Sequence, residues 1–68
     1  MKLNIYFKWG LGGTYEIERS ELERLKNDWL SYLETGKPRG GAYKATKTVV
    51  ENPSTELLLR FDNLEGIG

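Results

Sequence analysis

Lys2-Leu3-Asn4-Ile5-Tyr6-Phe7-Lys8-Trp9 alternates apolar and polar residues, and Thr55-Glu56-Leu57-Leu58-Leu59-Arg60-Phe61 does nearly the same at the other end of the chain. Successive side chains on a strand point to opposite faces, so Leu3, Ile5, Phe7 and Trp9 form one apolar row and Leu57, Leu59 and Phe61 another. Between these runs lies the one segment with helical periodicity, in which Leu22, Leu25, Trp29, Tyr32 and Leu33 recur as a single stripe, with Leu30 at its border. The chain therefore reads as an α+β domain in which a sheet is covered by one helix.

The helix has punctuation at both ends. Ser20-Glu21-Leu22-Glu23 matches a capping box, with Ser20 accepting from the Glu23 amide and the Glu23 side chain reaching back. Gly36 is placed to close the helix in the left-handed conformation, and Pro38 prevents its continuation. The expected span is 20–35, with Arg24, Lys26, Asp28 and Ser31 facing water. Before it, Gly10-Leu11-Gly12-Gly13 reads as a turn and Thr14–Glu18 as a second strand with Tyr15 and Ile17 inward.

After it, 37–41 reads as a loop and Ala42–Val50 as a third strand. Tyr43, Ala45, Lys47 and Val49 share one face of that strand, while Lys44, Thr46, Thr48 and Val50 share the other. Neither row is cleanly apolar, which suits an edge. Glu51-Asn52-Pro53-Ser54 is a turn. Thr55–Phe61 is the fourth strand, placed in the middle of the sheet because Leu57-Leu58-Leu59 is apolar on both faces. Asp62–Gly68 reads as a tail that Leu64 and Ile67 pin to the body.

The order ββαββ then predicts a mixed four-stranded sheet, with the first and fourth strands adjacent and parallel through a right-handed crossover. That order resembles the β-grasp architecture. The competing arrangement is an open antiparallel sheet or small barrel. Ubiquitin-like modifiers resemble this element order and end in a diglycine. Here Ile67 separates Gly66 from Gly68, so the resemblance does not extend to a modifier tail.

Sixty-eight residues make one domain, spanning 1–68, with room for only a small core. With no cysteine and no histidine, neither disulfides nor the usual zinc and iron–sulfur ligand sets are available. No metal or cofactor is expected. The commonest general base and the strongest nucleophile are also missing, so the chain is not expected to be an enzyme. Glu16, Glu18, Glu21 and Glu23 are explained by outward strand positions and the helix start. Gly10–Gly13 is followed by a strand, whereas phosphate-cradling loops run into a helix N-terminus. The opening residues lack the pattern of a secretory signal and no run is long enough to span a membrane, which makes a cytoplasmic location the default expectation.

Ten basic and ten acidic residues balance to zero net charge, but unevenly. Lys37, Arg39, Lys44 and Lys47 occupy a stretch without acids, and the chain from Glu51 onward is acidic. The leading expectation is a non-catalytic interaction module that forms a homodimer and binds another protein through an edge strand or the open sheet face, where Tyr6 and Leu58 are the candidate contacts. The second expectation is single-stranded nucleic-acid binding through Lys37, Arg39, Tyr43, Lys44 and Lys47, with the cations on phosphates and Tyr43 stacked on a base.

Overall fold

Leu3 and Ile5 are fully buried, as the first alternating run requires, and they anchor the middle strand of a three-stranded sheet. The computed structural model describes residues 1–10, 12–37, 44–51 and 54–68. Its elements are β1 (Lys2–Phe7), β2 (Gly12–Glu16), α1 (Arg19–Thr35), β3 (Ala45–Val50), β4 (Thr55–Arg60), a short 3₁₀ turn (Phe61–Asn63) and β5 (Leu64–Ile67). Two sheets result, with orders β2-β1-β5 and β3-β4, and every pairing is antiparallel.

This corrects the mixed four-stranded sheet. Among the described residues β1 has β2 and β5 as neighbours, not β4, and no parallel crossover forms. The cause is the turn at Phe61–Asn63. It redirects the chain so that the expected tail becomes β5 and takes the place beside β1. The ladder continues past β5, where the Asn4 amide donates to the Gly68 carbonyl (3.0 Å) and the Gly68 amide donates to Asn4 (2.9 Å). A register shift between Tyr6 and Phe7 accommodates the bend. The two sheets are bridged where the Glu51 amide donates to the Glu16 carbonyl at 2.8 Å.

The core comprises Leu3, Ile5, Ile17, Leu22, Leu25, Val50, Leu59, Phe61 and Leu64, so every described element except β2 contributes to it, and Tyr15 of β2 packs against it. Phe61 makes a T-shaped contact with Trp29 (ring centroids 5.5 Å) and is tilted against Tyr32 (5.5 Å), which joins the helix stripe to the β4–β5 corner. The helix N-cap lies two residues earlier than the capping box implies. Glu18 is the N-cap and makes no side-chain cap bond, and Glu23 pairs with Arg19 (3.6 Å) instead of Ser20. Gly36 does close the helix, with φ 80° and its amide on the Tyr32 carbonyl (2.8 Å).

Three further expectations are overturned. Trp9 lies beyond the end of β1 and is 58% exposed, stacked flat on Phe7 at 4.7 Å. Leu33, expected in the stripe, is 59% exposed. Asp28, expected in water, is only 2% exposed. Residues 38–43 of the predicted loop and third strand lie outside the described residues. No described helix is long and apolar enough to cross a membrane.

Candidate functional site

β3 is hydrogen-bonded to β4 through its even-numbered residues. The Phe61 amide donates to the Lys44 carbonyl (2.7 Å), and the register pairs Ala45 with Arg60, Thr46 with Leu59, Lys47 with Leu58, Thr48 with Leu57 and Val49 with Glu56. Backbone groups of alternate residues point to opposite edges of an antiparallel strand. The backbone groups of Lys47, Val49 and Glu51 therefore face away from β4, and those of Glu56, Leu58 and Arg60 face away from β3.

The first of these edges is occupied. Arg24 Nη2 donates to the Lys47 carbonyl (2.6 Å), the Val49 amide donates to the Glu21 carboxylate, and the Glu51 amide donates to Glu16. Two helix side chains thus stand where a neighbouring strand would be. They are held there by a polar cluster. Arg24 Nη1 donates to Asp28 Oδ2 (2.8 Å) and to Thr46 Oγ1 (3.2 Å), and Nη2 also donates to Glu21 Oε1 (2.5 Å). Thr46 Oγ1 donates to Asp28 Oδ2 (3.2 Å), and Thr48 Oγ1 donates to Glu21 Oε1 (3.0 Å). The Arg24 guanidinium, chiefly through this hydrogen bond, holds the Glu21 carboxyl below the usual carboxylate range, against the opposing effect of burial; Thr48 and Val49 add to the lowering. The mixed, polar inward row of β3 reflects this role: Thr46 and Thr48 face helix charges, not a second apolar layer.

The second edge, that of β4, has no ladder partner among the described residues. The outer face beside it is amphipathic. Leu58 is 67% exposed and Val49, its diagonal neighbour, 47%. Lys47, Glu56 and Arg60 surround them, all exposed, and Arg60 Nη2 donates to Asp62 Oδ2 (3.0 Å). This corrects the central position expected for β4: the second apolar face of Leu57-Leu58-Leu59 is the outer surface of an edge strand.

The candidate residues separate accordingly. Leu58 lies on this edge. Tyr6, also exposed, lies on β1 opposite Gly12 and Gly66, in the other sheet, so the two do not form the single patch that neighbouring strands would have given. Lys44 and Lys47 are exposed at the start and middle of β3, and Lys37 is exposed just past the helix. Arg39 and Tyr43 lie outside the described residues.

Two surface depressions of about 200 Å³ are lined by Glu18, Glu21, Val49, Glu51 and Ser54, and by Asn27, Leu30, Ser31 and Glu34. Both fall short of the roughly 300 Å³ at which small-molecule sites begin. Among the described residues no cluster of carboxylates is placed to hold a metal ion. The sequence matches no protein-family profile, no curated protein and no solved structure.

Proposed function

We propose that this chain is a small non-catalytic interaction module that works by strand addition, associating with itself and with other protein chains through the edge of β4 and the adjoining outer face of the β3–β4 hairpin. One contrast carries the reading. Outward backbone groups of Lys47, Val49 and Glu51 along the β3 edge are taken up by Arg24, Glu21 and Glu16, while Glu56, Leu58 and Arg60 of β4 present theirs outward with no ladder partner among the described residues. An unprotected edge is a template for another strand, and main-chain bonds supply affinity in that mode. β2 and β5 are the edges of the other sheet, and both are shorter: β2 has five residues and is bridged to Glu51 at its end, and β5 has four, with its pairing to β1 interrupted by the register shift at Tyr6–Phe7.

The test is sedimentation velocity across micromolar to millimolar protein, with amide exchange read in parallel. Association is expected to rise with concentration and to slow exchange selectively at Glu56, Leu58 and Arg60. A chain that stays monomeric throughout, with those amides exchanging at a constant rate, overturns the reading. Binding of single-stranded nucleic acid through the 37–47 segment rests on the sequence alone, since Arg39 and Tyr43 lie outside the described residues.

A further inference from the structure

We infer that the occupant of the β4 edge is β4 of a second copy, paired antiparallel about a two-fold axis through Leu58, with Glu56 of each chain facing Arg60 of the other. The inference rests on the strand-addition reading and fixes its partner and register. Three observations converge on it.

The first is backbone phase. Glu56, Leu58 and Arg60 are the residues whose amides and carbonyls point off the sheet. In an antiparallel pair only such residues can form the hydrogen-bonded pairs, in which both residues exchange bonds. Centring the pair on Leu58 sets Leu58 against its own copy and Glu56 against Arg60, so all three outward-pointing residues become hydrogen-bonded pairs. Moving the register by one residue would set outward-pointing groups against inward-pointing ones and lose every bond.

The second is the side-chain phase. Glu56, Leu58 and Arg60 are all exposed and on the outer face, whereas Leu57 is half-buried and Leu59 buried on the inner one. The same register therefore matches outer to outer and inner to inner. It joins Leu58 and Val49 to their copies as one apolar strip across four strands.

The third is charge. Glu56 and Arg60 stand two positions either side of Leu58 with opposite signs. Charged residues often serve only to blunt an edge. Charges of one sign would repel a second copy in this register, whereas this arrangement supplies two complementary cross-strand pairs around the axis. Glu56 lies opposite Val49 on β3 and has no salt bridge among the described residues, so its carboxylate is available to the incoming strand.

Charge reversal tests the register. Glu56→Arg and Arg60→Glu each set like charges against one another twice in the symmetric dimer. Each is expected to weaken self-association about thirtyfold, taking about 1 kcal/mol for each of the two cross-strand pairs. An equimolar mixture of the two variants restores both pairs and is expected to associate as tightly as the parent chain, as a heterodimer visible by native mass spectrometry with one chain isotope-labelled. Circular dichroism of each variant shows whether it is folded, and rescue on mixing itself excludes a folding defect. A parent chain that dimerises while the single variants dimerise equally well, or fail to rescue one another, overturns this register and leaves strand addition standing. A parent chain that is monomeric to millimolar concentration overturns both.

Discussion

The Arg24 guanidinium donates to the buried Asp28 carboxylate one helical turn away, at 2.8 Å, and the same group reaches off the helix to the Lys47 carbonyl of β3 at 2.6 Å. One side chain therefore neutralises a carboxylate in the interior and closes a strand edge. Removing one partner of a buried pair leaves the other desolvated without its counter-charge, which costs more than removing both. Arg24→Ala is expected to lose about 3 kcal/mol in urea denaturation. The double variant Arg24→Met, Asp28→Leu is expected to lose less than the sum of its two single changes. Additive losses would show that the two groups act independently.

Glu21 gives the fold an acid-sensitive contact. Its carboxyl titrates below its usual 4.5 in the folded chain, first because Arg24 donates to it. A carboxylate whose folded pKa is depressed contributes stability that is present above the unfolded pKa and lost as pH falls through the folded one. The parent chain should therefore be more stable than Glu21→Gln at pH 7, and the gap should close as the pH drops below about 4.5 and past the lowered folded value. Urea midpoints for both chains between pH 7 and pH 3 measure it. A gap that stays constant over that range would mean that the Glu21 charge contributes nothing.

Local pattern made much of this legible. The Leu3–Ile5 row, the helix stripe through Leu22 and Leu25, the Gly36 terminus and the common face of Thr46, Thr48 and Val50 all follow from periodicity or from one residue's backbone preference, although which face of that strand is buried does not. Sheet order does not, because it depends on a turn. Asp62-Asn63 is an ordinary turn signal, but it does not announce that a strand follows, and Leu64 and Ile67 are three positions apart, a spacing that hides a strand when the register shifts at Tyr6–Phe7. Asp28 was hidden for another reason. A charged pair at i, i+4 is the ordinary mark of a wet helix face, and only the threonines it meets on β3 make it interior. Leu58 was readable as an exposed apolar residue, but its place on an edge strand, in phase with Glu56 and Arg60, required the topology.

Gly12 and Gly66 flank Tyr6 from opposite sides and should respond differently to a methyl group. A Cβ at Gly12 would stand 2.6 Å from the Ile5 carbonyl oxygen, which is backbone and cannot swing aside. At Gly66 the nearest atom is a Tyr6 ring carbon at 3.8 Å, an ordinary contact. Gly12→Ala is expected to cost about 1–3 kcal/mol, as forced overpacking does, and Gly66→Ala to fall within about 0.5 kcal/mol of the parent. Equal losses in thermal or urea melts would mean that β1 and β2 do not approach as closely as this register requires.

Phe61 holds the β4–β5 corner to the helix, fully buried, in a T-shaped contact with Trp29 and tilted against Tyr32. Leucine preserves most of the apolar volume but forfeits both ring contacts, each worth about 0.5–1.5 kcal/mol. Phe61→Leu is therefore expected to lose about 1–3 kcal/mol while remaining folded. Phe61→Ala adds a cavity and should lose about 3–5 kcal/mol, a large share of the roughly 3–10 kcal/mol that a domain of this length holds. The two tryptophans make the effect local and visible. Trp29 reports on the corner, whereas Trp9 is exposed and stacked on Phe7. In Phe61→Leu the near-ultraviolet dichroism from Trp29 should collapse and its emission shift to the red. Acrylamide quenching of Trp9, resolved in a Trp29→Phe background, should not change. If quenching of both tryptophans changed together, Phe61 would be supporting the whole fold and not the corner alone.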